Sequence, residues 1–137
     1  MLIGISAMHG RHEVSRAWCE HTASLGFKDV FVCVSEGDQE SFDICQSHGF
    51  TICWRPNNPL SDKFNGALAY AFNMTNAARF MVLPSDDFVS QAWVDTMRAS
   101  DEPYCIPHTC AILDAYTQNA YRITKNSLTP GSTMRFG

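Results

Sequence analysis

The sequence predicts an α/β fold, a three-layer α/β/α sandwich built on a mostly parallel sheet. Short apolar runs rich in β-forming residues alternate along the chain with segments whose apolar residues recur at helical spacing. The run 29–34 is nearly continuous in apolar residues, as expected for a parallel strand covered on both faces. The chain has 137 residues, which is enough for one domain with its own core.

Each predicted element has its own signal in the sequence. The apolar runs predict strands over residues 2–6, 29–34, 50–54 and 79–83, with shorter strand-like pieces at 103–106, 111–115 and 120–124. Helical spacing predicts helices over residues 13–25, 39–48, 61–74 and 90–98. Gly26 and Gly49 end the first two helices, and Ser61 and Ser90 are candidate N-caps of the last two.

The third predicted helix carries one apolar stripe, which we expect to face the core. Its members are Phe64, Leu68, Ala71 and Phe72. No internal repeat interrupts the alternation of strands and helices, so we predict a single domain over residues 1–125, followed by a flexible polar tail over 126–137.

Composition narrows the classes of function. The formal net charge of −4, with Lys and Arg scattered along the chain, argues against a nucleic-acid-binding surface. No apolar stretch approaches the roughly 20 residues of a membrane span. The N-terminus lacks the basic region of a signal peptide, which predicts a cytoplasmic protein. The six cysteines are spread through strand-like and helix-like segments, so we expect reduced thiols rather than a disulfide framework.

The predicted topology also indicates where a ligand would bind. In an open parallel sheet, the loops that follow the strands lie at one edge, and ligands bind just beyond the carboxyl ends of the strands. The segments expected at this edge are 7–12, 35–38, 55–59 and 84–88.

The last of these segments contains two adjacent acids, Asp86 and Asp87, which follow an apolar strand broken by Pro84. Carboxylates at the end of a parallel strand are well placed to bind a divalent cation, because Mg²⁺ and similar cations favour hard oxygen ligands completed by substrate phosphates. The alternative interpretation is a solvated turn before the helix that Ser90 caps.

Two stretches of the chain together resemble family-2-type glycosyltransferases of the GT-A fold. Residues 58–68 (NPLSDKFNGAL) resemble the segment in which a basic residue and an Asn open the helix before the metal-binding strand. Residues 81–89 (MVLPSDDFV) resemble the motif in which an apolar strand leads into D-x-D or S-D-D. The matching order covers residues 2 to about 115, and the specific signal is concentrated in 58–93.

This resemblance implies a GT-A-like fold, a nucleotide-diphosphate sugar as donor, and Mn²⁺ or Mg²⁺ as cofactor. Asp87 then matches the metal-binding acid, and Asp86 matches its neighbour at the ribose or the metal shell. The other positions that match the family's donor-binding residues are Ala7, Met8, His9, Glu36, Lys63 and Asn65. Ser85 stands where a D-x-D motif has its first Asp, so one negative charge fewer faces the cation.

The resemblance is weakest in the region that would activate an acceptor. Inverting glycosyl transfer needs a general base, which in this family lies well downstream of the metal motif. Asp114, at the end of a strand-like piece, is the one candidate for that role, and the acceptor itself is unknown. Two alternatives stay open: a non-catalytic module that keeps the fold, and a nucleotidyltransferase-like enzyme. A homo-oligomer, in which a partner subunit completes the site, is a further interpretation.

Overall fold

The computed structural model describes residues 1–77, 79–102, 109–114 and 119–124. The chain divides into two compact units, Met1–Ser100 and Asp101–Gly137, whereas the sequence predicted one domain over residues 1–125. The strand-like piece predicted at 103–106 and the tail at 126–137 lie outside the described residues.

The first unit alternates strands and helices in the predicted order. Its elements are β1 (Leu2–Met8), α1 (His12–Ser24), β2 (Asp29–Ser35), α2 (Gln39–Ser47), β3 (Thr51–Arg55), α3 (Leu60–Met74), β4 (Arg79–Val82) and α4 (Gln91–Ala99). Each end lies within two residues of its predicted position. The cap of α4 is confirmed, since the Ser90 side chain accepts a hydrogen bond from the Trp93 amide.

The strands form one four-stranded sheet in the order β3-β2-β1-β4, and every pair is parallel. Ile5 of β1 lies beside Phe31 of β2 on one side and Val82 of β4 on the other. This architecture confirms the α/β class. Because all four strands run the same way, their carboxyl ends lie at one edge of the sheet.

Helices cover both faces of the sheet, an arrangement compatible with the predicted three-layer sandwich. On one face, β1 and β2 residues such as Leu2 and Val32 form a core cluster with Trp18 of α1, Ile44 of α2 and Val94 of α4. On the other face, Ile3, Ile5, Phe31 and Cys33 pack against Ala67 and Ala71 of α3. Alternate residues along each strand therefore serve alternate cores.

The apolar stripe predicted for α3 is confirmed at Ala71, which is buried, and at Phe64, which packs half-buried against the same core, but it is wrong at the other two positions. Leu68 and Phe72 are 39% and 68% exposed, and the buried positions of the helix are Lys63, Gly66, Ala67 and Ala71. Small residues suit this face because α3 packs closely against three strands of the sheet, and the larger apolar side chains then point away from it. The N-cap is Pro59, with no side-chain hydrogen bond, rather than Ser61.

The second unit contains an antiparallel pair of strands, β5 (Thr109–Asp114) and β6 (Asn119–Thr124). These strands match the pieces predicted at 111–115 and 120–124. In their register Asp114 lies opposite Asn119. Within the described ranges, none of the helices has the length and apolar character needed to cross a membrane.

Candidate functional site

The acidic loop after β4 is held against α1 by two hydrogen bonds to its backbone. The Trp18 indole Nε1 donates to the Asp87 carbonyl at 3.1 Å, and His21 Nε2 lies 2.7 Å from the Val89 carbonyl. The Asp87 amide donates to the Pro84 carbonyl at 3.0 Å, which closes a turn. The position of the two acids is therefore set by a helix that is distant in sequence.

The two carboxylates of this loop have different surroundings. Asp86 pairs with Arg11, whose Nη1 lies 2.8 Å from Asp86 Oδ2, and both side chains are about half exposed. Asp87 is also exposed, and its carboxylate makes no hydrogen bond or ion pair with the described residues. Partial loss of water and, secondarily, the charge of Asp86 raise the pKa of Asp87 above its ordinary 3.8. A cation beside Asp87 would relieve both effects.

Arg11 reaches Asp86 from an uncommon backbone conformation. Its φ and ψ are 46° and 47°, and it is the one non-glycine residue with positive φ in the described part of the chain. The left-handed region disfavours residues with a Cβ, so the surrounding structure must hold Arg11 there. It precedes the first residue of α1, and its carbonyl accepts a hydrogen bond from the Ser15 amide at 2.9 Å. The sequence offered little indication that Arg11 has this conformation, since the neighbouring Gly10 was the one residue that indicated a turn.

Lys63 lies beneath the same edge of the sheet and is only 1% exposed. Its ammonium donates to the Met8 carbonyl at 2.8 Å, the Ser35 hydroxyl at 2.8 Å and the Asn57 side-chain oxygen at 3.2 Å. Burial lowers the pKa of this ammonium from its ordinary 10.5. The resemblance placed Lys63 against a donor diphosphate, whereas all three of its N–H groups are used within the protein. Here Lys63 joins the ends of β1 and β2 to the loop after β3.

Asp38 is the second organising residue of the edge, and its role was not predicted. One carboxylate oxygen accepts from the Gly10 amide at 2.8 Å and from the Ser41 hydroxyl at 2.7 Å. The other accepts from the Ser41 amide at 3.2 Å and lies 3.1 Å from His12 Nε2. Burial alone would raise the pKa of Asp38, but these hydrogen bonds outweigh it and hold the pKa far below its ordinary 3.8. A helix N-cap pattern, Asp38 before α2, was the signal that could have identified it.

The remaining predicted donor-binding residues are distributed along and beneath the edge. Ala7 and Met8 are buried, so Met8 contributes its carbonyl to Lys63 rather than a side chain to a ligand. His9 and Glu36 are exposed, and His9 Nδ1 lies 3.7 Å from Asp38 Oδ2.

Asn65 is exposed on α3, where it lines a surface groove of about 410 Å³ with Leu68, Ala69, Phe72, Asn73 and Phe80.

The proposed general base lies in the second unit. Asp114 is the last residue of β5, and the described part of the structure gives its backbone only. Ser85, at the position of the family's first Asp, is buried. The exposed carboxylates of the acidic loop are therefore Asp86 and Asp87 alone.

A cation at this loop would need ligands beyond Asp86 and Asp87. Among the residues that the structure describes, no three His, Cys, Asp or Glu side chains form a set that could hold a metal ion. Asp86 and Asp87 supply two carboxylates, which suits a cation that takes its other ligands from phosphate and water. Comparison of the chain with models of protein families, with curated proteins and with solved structures found no match.

Proposed function

We propose that the carboxyl edge of the sheet binds a nucleotide-diphosphate sugar together with Mn²⁺ or Mg²⁺, and that the protein transfers the sugar to an acceptor. The GT-A-like fold is part of this proposal. The observation that carries it is Asp87: an exposed carboxylate beside a second acid, without a cationic partner in the described structure, on a loop anchored by Trp18.

The donor set of the loop fits a hard divalent cation. Asp87 would bind the ion, and Asp86 would bind it or the ribose of the nucleotide. When bound, such an ion stabilises the negative charge that develops on the departing nucleoside diphosphate. Three features of the chain itself support the position of this site: the acids lie in the loop that follows a parallel strand, they are exposed, and the backbone of that loop is fixed by α1.

Arg11 supplies a cation on the same side of the loop. Its guanidinium is half exposed and pairs with Asp86, so it can also face a phosphate that approaches the acids. Lys63 takes the role of a positioning residue, because its ammonium is enclosed and holds the strand ends on which the loops depend. His9 and Glu36, exposed after β1 and β2, are the side chains available to the nucleobase or ribose.

The alternative is a module that binds the nucleotide sugar without turning it over. It is favoured by the burial of Lys63, which withdraws one predicted phosphate-binding charge from the surface. Transfer itself would depend on Asp114 or on a partner subunit that supplies the acceptor half. The two versions share one binding site and differ only in whether a product forms.

Thermal unfolding with and without nucleotide tests the shared binding step. We expect uridine or guanosine diphosphate with Mn²⁺ to raise the melting temperature, and Asp87→Ala to abolish the gain. Asp43→Ala is the matched control, since it removes an exposed carboxylate from α2 and should leave the gain unchanged. No shift with any nucleoside diphosphate, or an equal shift in the Asp87→Ala protein, contradicts the proposal.

Turnover is then measured separately with labelled nucleotide sugars. If the protein releases the nucleoside diphosphate and the Asp87→Asn variant does not, the result supports transfer or hydrolysis. Binding without release supports the non-catalytic module.

A further inference from the structure

Two cysteines lie side by side in the parallel sheet. Cys33 of β2 and Cys53 of β3 are directly paired in the register of these strands, and their thiols interact with each other. Cys33 is fully buried, whereas Cys53 is half-buried, so Cys53 is the more accessible member of the pair.

The strand geometry brings the two sulfurs within reach of a covalent bond. Neighbouring strands lie about 4.8 Å apart. Disulfides span Cα separations of roughly 4.4–6.8 Å. The paired register puts both side chains on the same face of the sheet, the face that packs against α3. A bond between them therefore needs side-chain rotation and only a small backbone adjustment.

The charges around the pair favour reaction at Cys53. The hydrogen bond with Cys33 and, after it, the positive charge of Arg55 lower the pKa of the Cys53 thiol, against the opposing effect of burial. The same hydrogen bond and burial raise the pKa of Cys33, although Lys63 and Arg55 oppose the rise. One thiol is thus the better nucleophile and the other is held beside it as a resolving thiol.

A second thiol pair in the same molecule lacks these features. Cys19 of α1 and Cys45 of α2 also interact, but both are fully buried. The hydrogen bond with Cys19, burial and the negative charge of Asp38 raise the pKa of Cys45. The two pairs therefore provide an internal comparison. Both consist of two interacting thiols, but they differ in exposure to solvent and in the sign of the neighbouring charge.

We propose that Cys33 and Cys53 form a site of reversible oxidation that closes to a disulfide when the protein meets a hydroperoxide. The Cys53 sulfur attacks one peroxide oxygen and forms an S–O bond while the O–O bond breaks. The departing oxygen takes the bonding electron pair and a proton and leaves as water or alcohol, and Cys53 becomes a sulfenic acid. The Cys33 sulfur then attacks the Cys53 sulfur, the S–O bond breaks, and a second molecule leaves as water. Two thiols are oxidised and one hydroperoxide is reduced. This site does not depend on the proposed function.

The test uses the full reduced chain, treated with hydrogen peroxide and then alkylated in denaturant. Proteolysis after Glu36 and Glu40 separates Cys33 from Cys53, so a link between them appears as a reducible pair of peptides. We expect this link to form, and we expect Cys19 and Cys45 to stay reduced and therefore to be alkylated in the second step. Cys45 shares a peptide with Cys53, and Cys45→Ser identifies which of them is linked.

Two substitutions complete the experiment. Cys53→Ser should abolish the link and leave Cys33 as a free thiol, while Cys45→Ser should leave the link intact. The link in the unsubstituted protein is read directly, so a variant that fails to fold does not leave the question open. Three outcomes would each overturn the proposal. In the first, Cys53 becomes a sulfinic acid without any link; in the second, the link forms between Cys19 and Cys45 instead; in the third, the Cys33 and Cys53 thiols stay unchanged.

Discussion

The Lys63 ammonium on α3 donates a 2.8 Å hydrogen bond to the hydroxyl of Ser35, the last residue of β2. The same ammonium bonds to the Met8 carbonyl at the end of β1 and to Asn57 in the loop after β3. No carboxylate of the described residues is in hydrogen-bond contact with this buried cation, which joins the ends of β1 and β2 to the loop after β3. Its protons stay satisfied because each one meets an oxygen at this edge, and the Ser35 hydroxyl adds a hydrogen bond to the same Asn57 oxygen at 2.9 Å.

Replacing Lys63 with Met should destabilise the protein by about 2–3 kcal/mol, because the Met8 carbonyl, the Ser35 hydroxyl and the Asn57 side-chain oxygen each lose a hydrogen bond from the buried ammonium. Chemical denaturation measures the change. Lys28→Met is the control, since Lys28 is exposed and its side chain makes no hydrogen bond with the described residues. Equal stability of the two variants would show that Lys63 does not hold the strand ends in solution.

Replacing Asp38 with Ala should cost about 2 kcal/mol at neutral pH, through loss of the α2 cap and of the Gly10 contact. The pKa of Asp38 is lowered in the folded protein, so its contribution is present above the unfolded value of 3.8 and is lost as the pH falls through the lower folded pKa. Unfolding curves at several pH values should show the two proteins converging in acid. A constant difference down to low pH would contradict this assignment.

Asp87→Asn should slightly stabilise the ligand-free protein, by less than about 0.5 kcal/mol, because it removes a charge that is partly withdrawn from water and, secondarily, repelled by Asp86. The pKa of Asp87 is raised in the folded protein, so the penalty is absent below 3.8, grows as the pH rises from 3.8 to the folded pKa, and is complete above it. Melting temperatures without nucleotide at acidic and neutral pH measure this. A loss of stability at neutral pH would mean that Asp87 has a cationic partner in solution.

Trp18→Phe keeps the ring in the core and removes the N–H that binds the Asp87 carbonyl. We expect a loss of about 1 kcal/mol in stability. We also expect a smaller melting-temperature gain from nucleoside diphosphate and Mn²⁺. The matched change is Trp54→Phe, since Trp54 stacks on Phe42 and its indole makes no hydrogen bond with the described residues. If both variants respond equally to the nucleotide, the indole anchor does not position the acids.

Local patterns predicted the elements of the first unit well. The apolar run at 29–34 became β2, Asp29–Ser35, because a strand covered on both faces needs apolar residues at every position. Ser90 caps α4 as predicted, since a cap depends on residues only three positions apart. Both signals act over short separations, so a single sequence contains all the information that they need.

The apolar stripe of α3 shows where this reasoning fails. Helical spacing selected Phe64, Leu68, Ala71 and Phe72, and the structure buries Ala71 together with Ala67 but leaves Leu68 and Phe72 exposed. The spacing establishes that a helix forms but does not say which face meets the sheet. Close approach of α3 to three strands selects the face with small residues, and that selection depends on the partner surface.

The chain by itself determined a parallel α/β architecture and the edge that carries Asp86 and Asp87, because hydrophobic periodicity and the alternation of strands and helices are properties of residues close in sequence. Only the tertiary structure decided that Lys63 lies inside the edge, that Asp38 organises it, and that Arg11 pairs with Asp86. These contacts join residues 55, 28 and 75 positions apart in the chain. Such pairs become neighbours only after the sheet has formed, so no local pattern encodes them.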